Sequence, residues 1–427
     1  LLSLNTDQEN FNINQDRQAK TGKIEGKLDY YYLLSPKANL NFTFGVTDVS
    51  QDFNSSIFQI MDSGNREVFS ENFLNNDVSF RFLDAYAAFH YRFVSGIFTL
   101  DPGFTLHSYK TVTRQLGSEE DNSFSFFRPD FRVLLKFKDS ETLRLVYRST
   151  REFTDINNLA EGYIFRNYNS FFQGNPNLEA AFFNRINLNY QSINIFNFTN
   201  IFANLSYSVR DNAIQNTTQV EGINSIRTAT NSNFPRETYT ASGRIDKRSK
   251  NLKGGLSINY NFSDFNNVIN DNPTASSNFT QRYSANIASN FRTKPNIEIG
   301  YTYSIRDYKT GGVYSKFFTD APYVRLDAYF LNGFVFNAKY TYNFYRNQEQ
   351  TLNEYRFLEA DLSYKPSGSK WEFGLRATNI LNDTEINRDS FNQFSFTTNS
   401  YVIQPRYLLF EVTYDLTAIG GKDKEKK

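Results

Sequence analysis

Between Phe334 and Tyr345 the chain reads FVFNAKYTYNFY, and alternate positions are all apolar or aromatic: Phe334, Phe336, Ala338, Tyr340, Tyr342 and Phe344. Asn337, Lys339, Thr341 and Asn343 fall between them. A helix would scatter this pattern around its circumference, whereas a strand sorts it onto one greasy face and one wet face. The same period of two runs through Leu28, Tyr30, Tyr32 and Leu34, through Leu40, Phe42, Phe44 and Val46, and through Ala85, Ala87, Phe89, Tyr91 and Phe93. It returns in the second half at Leu256, Ile258, Tyr260 and Phe262, at Ile297, Ile299, Tyr301 and Tyr303, and at Leu408, Phe410, Val412 and Tyr414. Roughly eighteen such strands are predicted.

The connections predict how the strands are joined. Short turn-forming stretches begin at Ser35, Val94, Lys138, Arg248, Arg292, Leu331 and Lys365, each marked by Gly, Pro, Asn or Ser. Long polar loops are expected at Gln51 to Asn76, Asp155 to Asn177, Asp211 to Phe234, Asp264 to Asn278, Asp307 to Ala321 and Leu381 to Ser400. Tight turns at one end and long loops at the other are the signature of a transmembrane antiparallel up-and-down β-barrel in an outer membrane. Soluble sandwiches and propellers also use alternating strands. Against them stand the segment lengths, the lack of a fixed repeat, and aromatics gathered near strand ends, as at Tyr30, Tyr31 and Tyr32.

Composition narrows this picture. The chain of 427 residues carries 44 Phe and 28 Tyr, yet its mean hydropathy is -0.56. No apolar run approaches the roughly 18 residues of a spanning helix, so a membrane protein of this composition crosses with strands. A net charge of +1 gives no field that would attract nucleic acid. The absence of cysteine removes thiolate chemistry, zinc–thiolate sites and disulfides.

If the last strand, near Pro405 to Leu416, descends to the periplasm, parity puts Arg325, Asp327 and Tyr329 on the lumen face opposite Lys339 and Thr341, with Asp327 as the cross-strand partner of Lys339. Glu359 and Arg376 line the same face. The bookkeeping also starts Leu1 on an ascending strand, assigns residues 1–417 to the barrel, and leaves 418–427 as a charged periplasmic tail. His90 and His107 fall on lumen faces of neighbouring strands without the spacing of a catalytic triad, and the acidic stretches lack the ligand spacing of a calcium loop. No enzyme, metal or cofactor is expected.

Three places carry a family resemblance. Gly174-Asn175-Pro176-Asn177-Leu178-Glu179 resembles the GNPxLxPE motif of TonB-dependent receptors, with Ala180 where proline is usual. Trp371 to Thr384, WEFGLRATNILNDT, resembles their penultimate strand and its Asn379 to Asp383 turn, and Tyr401 to Leu416 is similar to the last strand of the related outer-membrane barrels. The resemblance implies a barrel of about 22 strands around a plug. It further implies a Gram-negative outer membrane, its lipid as surroundings, and TonB-energised import of a scarce small nutrient such as a siderophore or oligosaccharide. The chain then reads as the barrel portion, with plug and first strands upstream. Ligand contacts are expected from loop aromatics, Tyr163, Phe165, Tyr168, Phe171 and Phe172 in one loop and Tyr308, Tyr314, Phe317 and Phe318 in another. The same rings also suit packing of the loops against themselves. A passive 18-stranded porin and a structural or secretion-associated barrel are the alternative readings.

Overall fold

The computed structural model describes residues 12–69, 72–167, 169–222, 224–391 and 396–416. Tyr168, the amino-terminal segment with Leu1, and the charged tail lie outside the described residues.

Strands occupy β1 (Asn12–Ser35), β2 (Ala38–Ile60), β3 (Arg66–Val68), β4 (Asn75–Ser95), β5 (Phe98–Gln115), β6 (Ser118–Lys138), β7 (Glu141–Glu152), β8 (Ile164–Asn167) and β9 (Ser170–Gln173). They continue as β10 (Ala181–Asn194), β11 (Thr199–Asp211), β12 (Ile214–Glu221), β13 (Asn224–Asn231), β14 (Arg236–Ser249), β15 (Leu252–Ile269) and β16 (Asn272–Ser289). The series closes with β17 (Asn296–Thr310), β18 (Val313–Phe330), β19 (Phe334–Arg346), β20 (Thr351–Tyr364), β21 (Trp371–Thr378), β22 (Glu385–Phe391), β23 (Phe396–Val402) and β24 (Tyr407–Tyr414). Two single 3-10 turns, Asn72–Leu74 and Ile156–Asn158, are the described helices. One sheet takes in 22 strands, and β22 and β23 form a separate hairpin. Five of the 22 are short additions (β3, β8, β9, β12 and β13), which leaves 17 through-running strands. Asn12–Ser35 is one strand of 24 residues running into the Ser35 turn, so no separate ascending strand precedes that turn among the described residues.

The chain divides into two compact units. The first comprises Leu1–Asn189, Leu205–Tyr239 and Ser263–Ser276, and the second Tyr190–Asn204, Thr240–Phe262 and Ser277–Lys427.

In the first unit, cross-strand register stacks the greasy face into continuous rows. Leu28 faces Phe44, which faces Ala87, then Leu106 and Phe127. These side chains stand in the open: Leu28 is 65% exposed and Phe127 54%. On β6 the row members run from Phe127 to Phe137. That is roughly 33 Å of strand at about 3.3 Å per residue, or about 25 Å of height at a tilt near 40°, the apolar band of an outer-membrane barrel. Leu100 sits in mid-band, between Phe93 and Val133. Leu100→Arg is expected to cost about 2–4 kcal/mol, read by urea titration of the protein refolded in lipid vesicles.

Beyond the band the strands continue, and their polarity inverts. On β2 the even positions Leu40 to Val46 give way to Asp48, Ser50 and Asp52, while Phe53 and Ile57, at odd positions, become buried. β4 mirrors this, with Val78 and Phe80 buried on the face opposite Ala85, Ala87 and Phe89. A strand in lipid needs grease outside; a strand above it is wetted outside and can hide grease only within.

This corrects the expected long loops. Asp264 to Asn278 is a hairpin whose tip is Asn270 and Asp271, and Asp307 to Ala321 is one whose tip is Gly311 and Gly312. All four tip residues have positive φ (45°, 62°, 51° and 85°), the hallmark of a two-residue type I′ turn. β5 and β6 are joined the same way by Leu116 and Gly117. Gln51 to Ile60 is strand, Asp211 to Phe234 contains the β12–β13 hairpin, and Leu381 to Ser400 takes in β22 and most of β23. Asp155 to Asn177 alone of the six stays largely irregular, and it packs. Ile156, Leu159, Ala160, Ile164 and Phe172 join Phe53, Val78 and Phe80 in one buried cluster.

In the second unit, β17 to β21 and β24 form an antiparallel run. The stretch Phe334–Tyr345 behaves as its pattern demands. Phe336 stacks between Ala328 and Leu362, and Tyr340 between Val324 and Leu358.

Candidate functional site

The 155–177 segment is fastened by neutral side-chain amides that imitate strand pairing. Gln15 accepts from Phe165 N at 2.9 Å and donates to Tyr163 O at 3.1 Å. Asn76 brackets Gly162 in the same way, at 2.8 and 3.2 Å. Gln115 accepts from Glu161 N and donates to Leu159 O, at 3.2 and 3.1 Å. These amides project from the inner faces of β1, β4 and β5, so the segment crosses four neighbouring strands, β1, β2, β4 and β5. A fourth bracket holds the GNPNLE motif: Asn231 accepts from Glu179 N at 2.8 Å and donates to Glu179 O at 2.9 Å. Each bracket satisfies one backbone N–H and one backbone C=O that would otherwise lack a partner.

Beside this segment lies a cleft of about 830 Å³. Thr111, Thr113, Glu120 and Asn122 enter it from β5 and β6, and Asn177 and Glu179 from the GNPNLE motif. Phe80, Phe124 and Phe153 supply its apolar lining. Phe153 is locked in an aromatic cluster with Phe82 at 4.6 Å and Tyr109 at 5.0 Å. Burial pushes the Tyr109 phenol up to about 12, with the Asp84 carboxylate adding to the rise. Arg151 is the cleft's cation. Its guanidinium lies 3.5 Å over the Phe182 ring and donates to Ala180 O at 3.0 Å, while its buried Nε has no partner.

The polar wall of the second unit holds the sequence-predicted charges. Glu298, Arg325, Lys339 and Glu359 form one row across β17 to β20, around a cavity of about 470 Å³. Asp327 faces Asn337, not Lys339, because the three-residue turn Leu331–Gly333 sets Phe330 against Phe334 and Arg325 against Lys339. Two cations side by side are tolerable because acids flank them: Asp327 accepts from Arg325 Nε at 3.0 Å, and Glu298 and Glu359 close the row. Tyr323 lies over Gly300, where a Cβ would come within 2.2 Å of the ring, and so reaches Glu298 at 2.7 Å. Arg376 is bound to Asp361 at 2.6 Å and to Glu411 at 3.2 Å. Tyr329, opposite Val335, is 57% exposed at the strand end.

Both histidines fall on the inner face and pair with carboxylates. His90 crosses the bare backbone of Gly103 to reach Asp130 on the next strand but one, with Nε2 3.0 Å from Oδ1. His107 Nδ1 is 2.9 Å from Asp84. No group of three or more metal-ligating side chains occurs among the described residues.

The candidate loop aromatics separate. Phe171 and Phe172 are buried, and Tyr163 and Phe165 pack edge-on against Phe171 at 5.8 and 5.1 Å. Tyr314 is exposed and donates to Asp307 at 2.5 Å; Tyr308 stands beside it across the hairpin from Ser315. Phe317 stacks on Tyr345 at 5.7 Å, and Phe318 carries the Arg346 guanidinium at 4.5 Å. The cleft residues of β5 and β6 were absent from the sequence-based candidates, since Thr, Glu and Asn in alternation look like any wetted strand. The Asn379 to Asp383 turn is a junction: Asn379 donates to Asp383 O and Gln404 O at 2.9 and 3.0 Å, and Asp383 accepts from Arg356 N at 2.6 Å.

The model of a family described as "Outer membrane protein beta-barrel family" matches residues 2–414. No curated protein sequence matches the chain. Among solved structures the chain is similar to the copper transporter OprC, with 10% identity, a TM-score of 0.46, and coverage of 92% of this chain and 72% of that one. It is similar to the ferric citrate transporter FecA in its unliganded form, with 12% identity, a TM-score of 0.47, and coverage of 94% and 55%. For the FrpB iron transporter of Neisseria meningitidis (F3-3 variant) the values are 8%, 0.38, 95% and 74%.

Proposed function

Since the chain belongs to the outer membrane protein beta-barrel family and so to the Gram-negative outer membrane, we propose that it is an import receptor: it captures a scarce small ligand at the outer face, and a TonB complex, acting through a plug domain, supplies the energy for passage. The observation that carries this reading is the cleft, which the GNPNLE motif helps to build and the amide brackets hold in shape. A site formed in advance loses little entropy on binding, as capture from dilute solution requires. Binding and passage, without bond chemistry, are its work.

The test is uptake by cells carrying or lacking the full-length gene, before and after a protonophore collapses the inner-membrane gradient. Energised import predicts that uptake follows the gene and stops with the gradient. Uptake that persists undiminished, or a steady large conductance of the purified protein in planar bilayers, overturns it in favour of a passive pore.

A further inference from the structure

In the second unit, the end of the strands joined by tight turns, the periplasmic end of such a barrel, carries a charge pattern that ligand capture at the outer face does not use. The turns joining β14 to β15 and β16 to β17 are neighbours, tied by the bond from Asn290 N to Asn251 O at 2.7 Å. On and beside them stand Lys247, Arg248, Lys250, Lys253, Arg292 and Lys294, all exposed. The same stretches, 244–254 and 289–297, hold one acid, Asp246, and Arg244 occupies it at 2.6 Å. None of the six cations forms an ion pair with a described carboxylate. At the opposite end of this unit cations are matched by acids: Lys316 with Asp307, Arg346 with Asp320 and Arg356 with Asp383, at 3.4, 3.7 and 3.8 Å.

Apolar surface adjoins the charge. The turn between β10 and β11 leaves Ile195 69% and Phe196 89% exposed, and the bond from Arg248 N to Phe198 O, 3.0 Å long, ties it to the basic patch. Arg248 and Lys294 lie over the rings of Phe198 and Phe291. A hollow of about 400 Å³ opens between the exposed side chains of Ile245, Leu252, Leu256 and Ile287, with Lys247 and the bare backbone of Gly254 in its lining. Cations crowded without acids gain from an anion placed among them, and exposed grease beside them gains from cover. We infer that this rim binds an anionic phospholipid of the periplasmic leaflet, its phosphate among the lysines and arginines and an acyl chain in the hollow. A single molecule with a negative head and a hydrocarbon tail meets both halves of the surface. An acidic protein segment would meet the charges and leave the hollow empty.

The full-length protein, stripped of lipid in detergent, is offered dioleoylphosphatidylglycerol or dioleoylphosphatidylcholine at equal concentration, and bound lipid is counted by native mass spectrometry. Phosphatidylglycerol is expected to exceed phosphatidylcholine about tenfold, and Lys247→Gln, Arg248→Gln and Lys250→Gln combined should remove most of that excess. The same number of charges lost at the opposite end, by Lys316→Gln, Arg346→Gln and Arg356→Gln, should leave it intact. Heat-modifiable gel mobility of each variant reports whether the barrel is folded. Equal binding of the two lipids overturns the inference, as does an excess that survives in the rim variant or falls as far in the outer-end variant. Inorganic phosphate and hexaglutamate are the competitors. Displacement of the lipid by phosphate would assign the patch to a free anion, and displacement by hexaglutamate to an acidic protein segment; either removes the lipid. Uptake plays no part in these measurements, so the lipid site and the import reading fail separately.

Discussion

Phe53→Ala is expected to lower stability by about 3–5 kcal/mol, whereas Phe44→Ala on the same strand costs only about 1.5–3 kcal/mol. The two rings differ by nine positions and by parity. Phe53 is 2% exposed, within the cluster that includes Val78, Ile164 and Phe172, while Phe44 is 53% exposed on the apolar band. Removing Phe53 leaves a hole that close-packed neighbours cannot fill, so the lost transfer energy is joined by a cavity cost. At position 44 lipid flows into the space and only the transfer term remains. Urea unfolding in lipid vesicles measures both; equal losses would mean that no protein core stands above the band.

Gly174→Ala is the second large effect, and it falls on binding more than on the strand wall. A Cβ at Gly174 would sit 2.6 Å from Ala160 N, Ala160 O and Asn158 O, all backbone atoms. To admit it, the segment must give up the bonds from Gly174 N to Ala160 O and from Asn175 N to Asn158 O, each 2.7 Å long. Overpacking and two weakened hydrogen bonds together cost about 2–4 kcal/mol. The motif then leaves its place beside the cleft, and ligand affinity should fall at least tenfold, about 1.4 kcal/mol. Unchanged affinity in calorimetry would show that the motif does not shape the site.

The wall was legible because lipid is an unforgiving solvent. Every outward residue in the band must be apolar, so Phe334 to Tyr345 declares its strand, its faces and its environment at once. Above the band that pressure ends. Asp48, Ser50 and Asp52 look like loop once the apolar alternation lapses, although the switch from even Leu40–Val46 to odd Phe53 and Ile57 is visible when the phase is followed. Contacts set by register were less accessible. The length of the Leu331–Gly333 turn, three residues and not five, decides that Lys339 meets Arg325 and not Asp327. The bond from His90 to Asp130 depends on Gly103 lying between them, which no local pattern announces. The cleft was hidden for another reason: its polar residues become a site only when a segment some fifty positions away is laid beside them.

Because Gln15, Asn76, Gln115 and Asn231 grip peptide groups through amides alone, nothing in that clasp titrates or is screened by ions. Acid, brine and divalent cations should all leave it shut. Whatever loosens it has to pull on the chain or offer rival peptide-like partners, which makes the outer face indifferent to the changing water in which the cell lives.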